Sequence, residues 1–127
     1  MSPQEIDFKR WFVAAWGDWL VRIEPRQGGD VGVSDLMVVV DRRLVPVELK
    51  VMVDGKVSGI RPSQKVWHRQ AAGAGLVTLL CAGEKRLGKG WSGLAWVWGG
   101  KGRGQAFDRS SLVLVVSSMV REEWSRR

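Results

Sequence analysis

Asp35, Glu48 and Lys50 are the residues whose types and spacing suit chemistry. Twelve residues separate Asp35 from the tripeptide Glu48-Leu49-Lys50. Between them two apolar runs flank the charged turn Asp41-Arg42-Arg43, the pattern of a β-hairpin. Side chains alternate along a strand, so Glu48 and Lys50 share one face while Val45, Val47 and Leu49 share the other. If Asp41 pairs with Leu44, Asp35 lies opposite Lys50 and Met37 opposite Glu48. In that register Leu36, Val38 and Val40 join the valine face, and Asp35, Glu48 and Lys50 converge on the other. Paired carboxylates repel unless a cation sits between them. Mg²⁺ suits the gap, because it takes oxygen ligands from one or two carboxylates together with substrate phosphate and water. Lys50 beside it would orient or deprotonate an attacking water, or balance charge on a phosphate. The plainer alternative is a salt bridge between Lys50 and either acid at a strand end.

A wider set of segments carries a resemblance: Val21-Arg22-Ile23-Glu24, Gly32-Val33-Ser34-Asp35-Leu36, Val47-Glu48-Leu49-Lys50, Arg61-Pro62-Ser63-Gln64 and Ala72-Gly73. Together they resemble the PD-(D/E)XK nuclease superfamily. Within it they are most similar to the VRR-NUC branch (virus-type replication-repair nucleases) in its stand-alone phage or bacterial form. The resemblance covers about residues 3–82 and lies at the level of motifs. Ser34 stands where the superfamily name has Pro, a residue that shapes the turn and binds no metal.

The resemblance implies an α/β fold, a restriction-endonuclease-like core with a mixed β-sheet flanked by helices. It implies a Mg²⁺-dependent endonuclease (Mn²⁺ substituting) that hydrolyses DNA phosphodiester bonds. Branched or Holliday-junction-like substrates in replication, recombination or repair are implied with it, as is a homodimer. Asp35, Glu48 and the Leu49 carbonyl would hold the metal. Lys50 would activate the water, and Gln64 would steady the scissile phosphate. Related nucleases often add a first-helix Glu to the metal site, which makes Glu5 a further candidate ligand. Glu5 is equally accounted for as the capping-box residue of that helix.

At 127 residues the chain has the size of one domain, 1–127. Lys and Arg number 20 against 13 Asp and Glu, a net charge of +7, which points to a polyanionic partner such as DNA. One cysteine, Cys81, excludes internal disulfides and Cys-based zinc clusters. With no signal peptide and no apolar stretch of the ~20 residues that a span needs, a cytoplasmic protein with no membrane partner is expected.

The elements that must position these residues follow from local signals. Ser2-Pro3-Gln4-Glu5 starts a helix whose apolar face carries Phe8, Trp11, Phe12, Ala15, Trp16 and Trp19. A short strand is expected near Leu20 to Glu24, then a Gly-rich loop in which Arg26 would contact phosphate. Asp54-Gly55 signals a tight turn. Pro62 opens a helix to about Ala72 with Gln64, Trp67, His68 and Ala71 on one face, and Lys65 and Arg69 as further phosphate contacts. His68 reads as a half-exposed histidine without catalytic duty. Leu76 to Ala82 reads as a buried strand.

Gly83 to Gly104 reads as a mobile basic loop followed by a strand. Lys85, Arg86 and Lys89 would attract phosphate there. Gly83 to Lys89 approaches a P-loop, but Gly90 replaces the required Ser or Thr, which argues against an NTPase. Trp91 is the candidate to stack on a base, while Trp96 and Trp98 suit core packing. Leu112 to Trp124 has helical period, although its β-branched residues also suit a strand followed by a helix. Eight tryptophans exceed what so small a core readily hides, and an apolar patch left exposed by them would suit self-association. Two other functions remain beside the structure-selective nuclease. One is a non-catalytic nucleic-acid-binding subunit on a nuclease-like fold, and the other is a restriction-type enzyme that reads base sequence.

Overall fold

The computed structural model describes residues 2–22, 36–57, 59–88, 90–100 and 102–127, with the backbone alone at Arg22. Ser2 caps the first helix, α1 (Pro3–Trp16), by accepting the Glu5 backbone N–H on its Oγ at 3.2 Å. Gly17, at φ 93°, ends that helix. Strands β1 (Leu20–Arg22), β2 (Leu36–Val40), β3 (Arg43–Val53) and β4 (Lys56–Val57) follow, then α2 (Pro62–Gly73). Strands β5 (Leu79–Arg86), β6 (Gly90–Val97) and β7 (Gln105–Phe107) precede the closing helix α3 (Leu112–Ser125). The sheet order is β1-β2-β3-β5-β6-β7, with β4 paired to β3. β3 and β5 run parallel and the other described pairs are antiparallel, so the fold is α/β with a mixed open sheet flanked by helices.

The hairpin register is tighter than the sequence suggests. Val40 pairs with Arg43 around Asp41 and Arg42, so Met37 faces Pro46 rather than Glu48. Both turn residues have positive φ, 50° and 64°, as in the two-residue turn whose twist matches that of the strands. The register moves by two residues from the expected one, which leaves the described side chains of both strands on their expected faces. Pro46 is tolerated because pairing with β5 begins one residue later, at Val47. The turn is tied to α3, where Arg121 donates twice to the Asp41 carboxylate at 2.8 Å.

On one face Leu36, Val38, Val45, Val47, Leu79 and Cys81 bury against Phe8, Phe12 and Trp16 of α1 and Leu112, Val116 and Val120 of α3. Gly83 lies directly under the Phe8 ring, where any Cβ would collide with it, and Gly93 is pressed against Ala82 and Phe107. These glycines allow close approach. The segment after Ala82 is accordingly strand to Arg86 and then a tight turn into β6, in place of the expected basic loop. β5 itself starts at Leu79, later than Leu76. The C-terminal segment is helical throughout Leu112–Ser125, which settles the choice left open by its β-branched residues. No helix among the described residues is long and apolar enough to cross a membrane.

Candidate active site

Glu48 and Lys50 occupy the other face of β3, the one that α2 covers. Two residues apart on a strand, they point the same way, and their charged ends lie 3.7 Å apart. Both are almost fully buried, Glu48 at 5% and Lys50 at 7% exposure. Charge held so far from water demands close compensation. α2 supplies it. Pro62 starts that helix, and Gln64 and His68, one turn apart, face the sheet.

Gln64 Nε2 donates to Glu48 Oε1 at 2.6 Å, while Gln64 Oε1 accepts the Arg61 backbone N–H at 2.9 Å. The amide is thereby locked between the helix N-terminus and the carboxylate. His68 Nε2 stands 3.5 Å from Glu48 Oε2, at the outer limit of hydrogen-bond distance. Its ring is fully buried, stacks on Trp98 with centroids 4.3 Å apart, and meets Trp67 edge-on. Among the described residues, His68 Nδ1 has no hydrogen-bond partner. One buried carboxylate is thus ringed by an amide, an ammonium and an imidazole. This arrangement fixes the carboxylate's rotamer, with the Gln64 amide donating to one oxygen and the Lys50 ammonium beside it.

Asp35 and Arg26 lie outside the described residues, as does Lys89. Leu49 lies between Glu48 and Lys50, paired with Cys81 in the parallel ladder, and its side chain turns to the core under α1. Glu5 belongs to α1, on the face of the sheet away from Glu48, with its backbone N–H in the Ser2 cap. Among the described residues no three His, Cys, Asp or Glu side chains cluster to hold a metal.

The basic residues divide between the two faces. Lys65 and Arg69 project from α2 beside the Glu48 face and line a cleft with Leu80, Trp96 and Trp98. Lys85 is carried to the opposite face by strand alternation, and its ammonium pairs with Asp7 of α1 at 3.2 Å. Arg86 lies by a second cleft shared with Glu84 and Asp108.

The tryptophans are placed contrary to expectation. Trp91 is only 4% exposed: its indole packs on Phe8 at 5.1 Å and donates to Asp7 at 3.0 Å, so it belongs to the core and is no base platform. Register explains this, because Trp91 pairs with Lys85 on the α1 face. Trp96 and Trp98, assigned to core packing, are half-buried beside Lys65 and Arg69.

His68 is the residue whose place the sequence understated. Its signal was the spacing of one helical turn from Gln64, which fixes both to one face. Asp7 is held by Lys85 and Trp91, partners 78 and 84 positions away along the chain, so its place leaves no signal in the local sequence. No family model matches the chain, and no curated protein or solved structure matches it.

Proposed function

We propose that this chain is a divalent-metal-dependent DNA endonuclease on a restriction-endonuclease-like core. The observation that supports this reading is the buried pair of Glu48 and Lys50, 3.7 Å apart and braced by Gln64 at 2.6 Å. The donor chemistry suits Mg²⁺, a hard cation that takes carboxylate and carbonyl oxygen and is content with one or two carboxylates from the protein. Glu48 would hold the ion together with Asp35 and the Leu49 carbonyl. When bound, Mg²⁺ supplies Lewis-acid polarisation of the phosphoryl oxygens.

The chain's own residues do the rest. Lys50 carries three donors on a compact charge, enough to orient a water toward phosphorus and to offset negative charge in the transition state. Gln64 acts through Glu48, holding the carboxylate in one rotamer. His68 backs the same carboxylate from its other oxygen and is a positioning residue. Lys65 and Arg69, on the same side of the sheet, offer phosphate contacts along the strand being cut. Branched or junction DNA as the preferred substrate is carried by the motif resemblance. A homodimer is carried by it too, and by Trp19 at 71% exposure sharing a cleft with Val113.

Cleavage of labelled four-way, flapped and linear duplex DNA with Mg²⁺ or Mn²⁺ tests the reading, with the Glu48→Gln variant beside the wild type. Metal-dependent cutting lost in the variant supports it. Tight binding without cutting removes it.

One observation favours a second reading, a nucleic-acid-binding subunit that does not cut. Glu48 is already compensated by Gln64, Lys50 and His68, as a purely structural carboxylate would be. Calorimetric Mg²⁺ titration separates the two, since the subunit would show no site that depends on Glu48.

A further inference from the structure

The cleft beside Glu48 has walls that the cleavage chemistry does not use. It encloses about 380 Å³ between α2 and the end of β6, within the range of small-ligand sites. Ile60, Leu80, Trp96 and Trp98 give it apolar and aromatic walls, and Lys65 and Arg69 bring two cations to it. No acidic side chain is among its described lining residues. The lining therefore suits an aromatic group that carries negative charge.

Its position relative to Glu48 is fixed by the sheet. Glu48 pairs with Leu80, and Leu80 pairs with Trp96, so the three sit in one row across β3, β5 and β6. Neighbouring strands are about 4.8 Å apart, which places the Trp96 backbone about 10 Å from that of Glu48. Paired residues share a face, so all three side chains lie on the side covered by α2. Trp98 is held by its stack on His68, the residue that also touches Glu48. One rigid unit thus joins the aromatic wall to the carboxylate.

We propose that this cleft receives a single unpaired DNA base, seated against Trp96 and Trp98, with its own phosphate and the next one along the strand met by Lys65 and Arg69. Indole faces stack on any base, which gives recognition without sequence preference. Lys65 and Arg69 are one helical turn apart and so form one basic edge. The proposal rests on the reading of Glu48 and Lys50 as a DNA-cleaving site and names the substrate feature beside it, a looped-out or single-stranded nucleotide next to the scissile bond. A base within a duplex has both faces stacked and does not reach the cleft. DNA with an unpaired nucleotide does.

The test is binding of the full chain, in EDTA to prevent cutting, to two fluorescent duplexes. One carries a single looped-out thymidine, and the other carries an abasic residue in its place, which keeps the phosphate and removes the base. Wild type is expected to bind the thymidine bulge about tenfold more tightly than the abasic bulge. Trp96→Ala should abolish the difference. Leu80→Trp, which fills the cleft from its floor and leaves both indoles in place, should abolish it too, with thermal melting to verify that each variant is folded. Equal binding of the two duplexes by wild type, or a preference that survives both variants in folded protein, overturns the proposal. A base preference in a protein that never cuts DNA leaves the cleft standing and removes the nuclease reading. Cutting without base preference does the reverse.

Discussion

Gln64 Nε2 lies 2.6 Å from Glu48 Oε1, and this one hydrogen bond joins α2 to the centre of the sheet. It connects residues sixteen positions apart, both nearly buried, and it leaves the Glu48 carboxylate little freedom. If Gln64 serves catalysis by fixing Glu48, Gln64→Ala should lower the cleavage rate by about 10- to 100-fold and weaken metal affinity in parallel. The same loss is typical when an outer partner of a ligating group is removed. Gln64→Glu should be worse than Ala, because it sets a second carboxylate against the first. Calorimetric Mn²⁺ binding, read beside cleavage, checks both.

Lys50→Ala should reduce cleavage by about 10²- to 10³-fold, the usual cost of losing one positioned donor to the transition state. DNA affinity should change little. The variant also leaves Glu48 without its cation in a buried place, so some loss of stability is expected. Single-turnover cleavage at saturating enzyme separates the chemical step from binding and folding.

The division of basic residues between faces predicts unequal effects on DNA. Lys65→Ala with Arg69→Ala should flatten the salt dependence of binding by about two phosphate contacts, a slope change of about 1.8 on logarithmic axes. Lys85→Ala should do less, because Lys85 is already committed to Asp7 on the far face. Equal effects of the two sets would place DNA on both sides of the sheet. Binding isotherms across a salt series give the answer.

Asp7 gives a pH signature. The hydrogen bond from the Trp91 indole, with that of Lys85, holds its carboxyl below the ordinary aspartate value of 3.8. A depressed folded-state pKa contributes stability that is present above the unfolded value and is lost as pH falls through the folded one. Denaturation below about pH 4 should therefore be shallower in Asp7→Asn than in wild type. Urea titrations at pH 3 to 6 would measure this.

Burial pushes the Cys81 thiol up to about 12, so it carries almost no thiolate at neutral pH. Alkylation at pH 8 should proceed only as the protein unfolds and should quicken with urea. Fast labelling of folded protein would mean that the β5 core is looser than described.

Much of the fold is legible in the residues, and the misses share a cause. Ser2 and Pro3 announce α1, Pro62 announces α2, and Asp54-Gly55 turns β3 into β4, each through local chemistry that needs no partner. Glu48 and Lys50 share a face because a strand alternates, so their convergence survives even the shift of register. Tertiary packing decides the remainder. Gly83 looks like loop composition, yet it lies within a strand because Phe8 occupies the space above it. Trp91 and Trp96 are chemically alike and differ only in the face to which the β5–β6 register assigns them. His68 shares a helix face with Gln64 and Ala71, but its full burial depends on Trp98 and Glu48, which only the folded sheet brings to it. β7, three residues long, leaves almost no periodic signal.

The most direct measurement is Mg²⁺-dependent cleavage of a labelled four-way junction by wild type and Glu48→Gln, with junction affinity measured on the same samples. Metal-dependent strand scission by wild type, reduced at least about 10²-fold in the variant with affinity retained, is the predicted result. Tight binding of the junction by both proteins, with no scission by wild type in Mg²⁺ or Mn²⁺, would contradict the account.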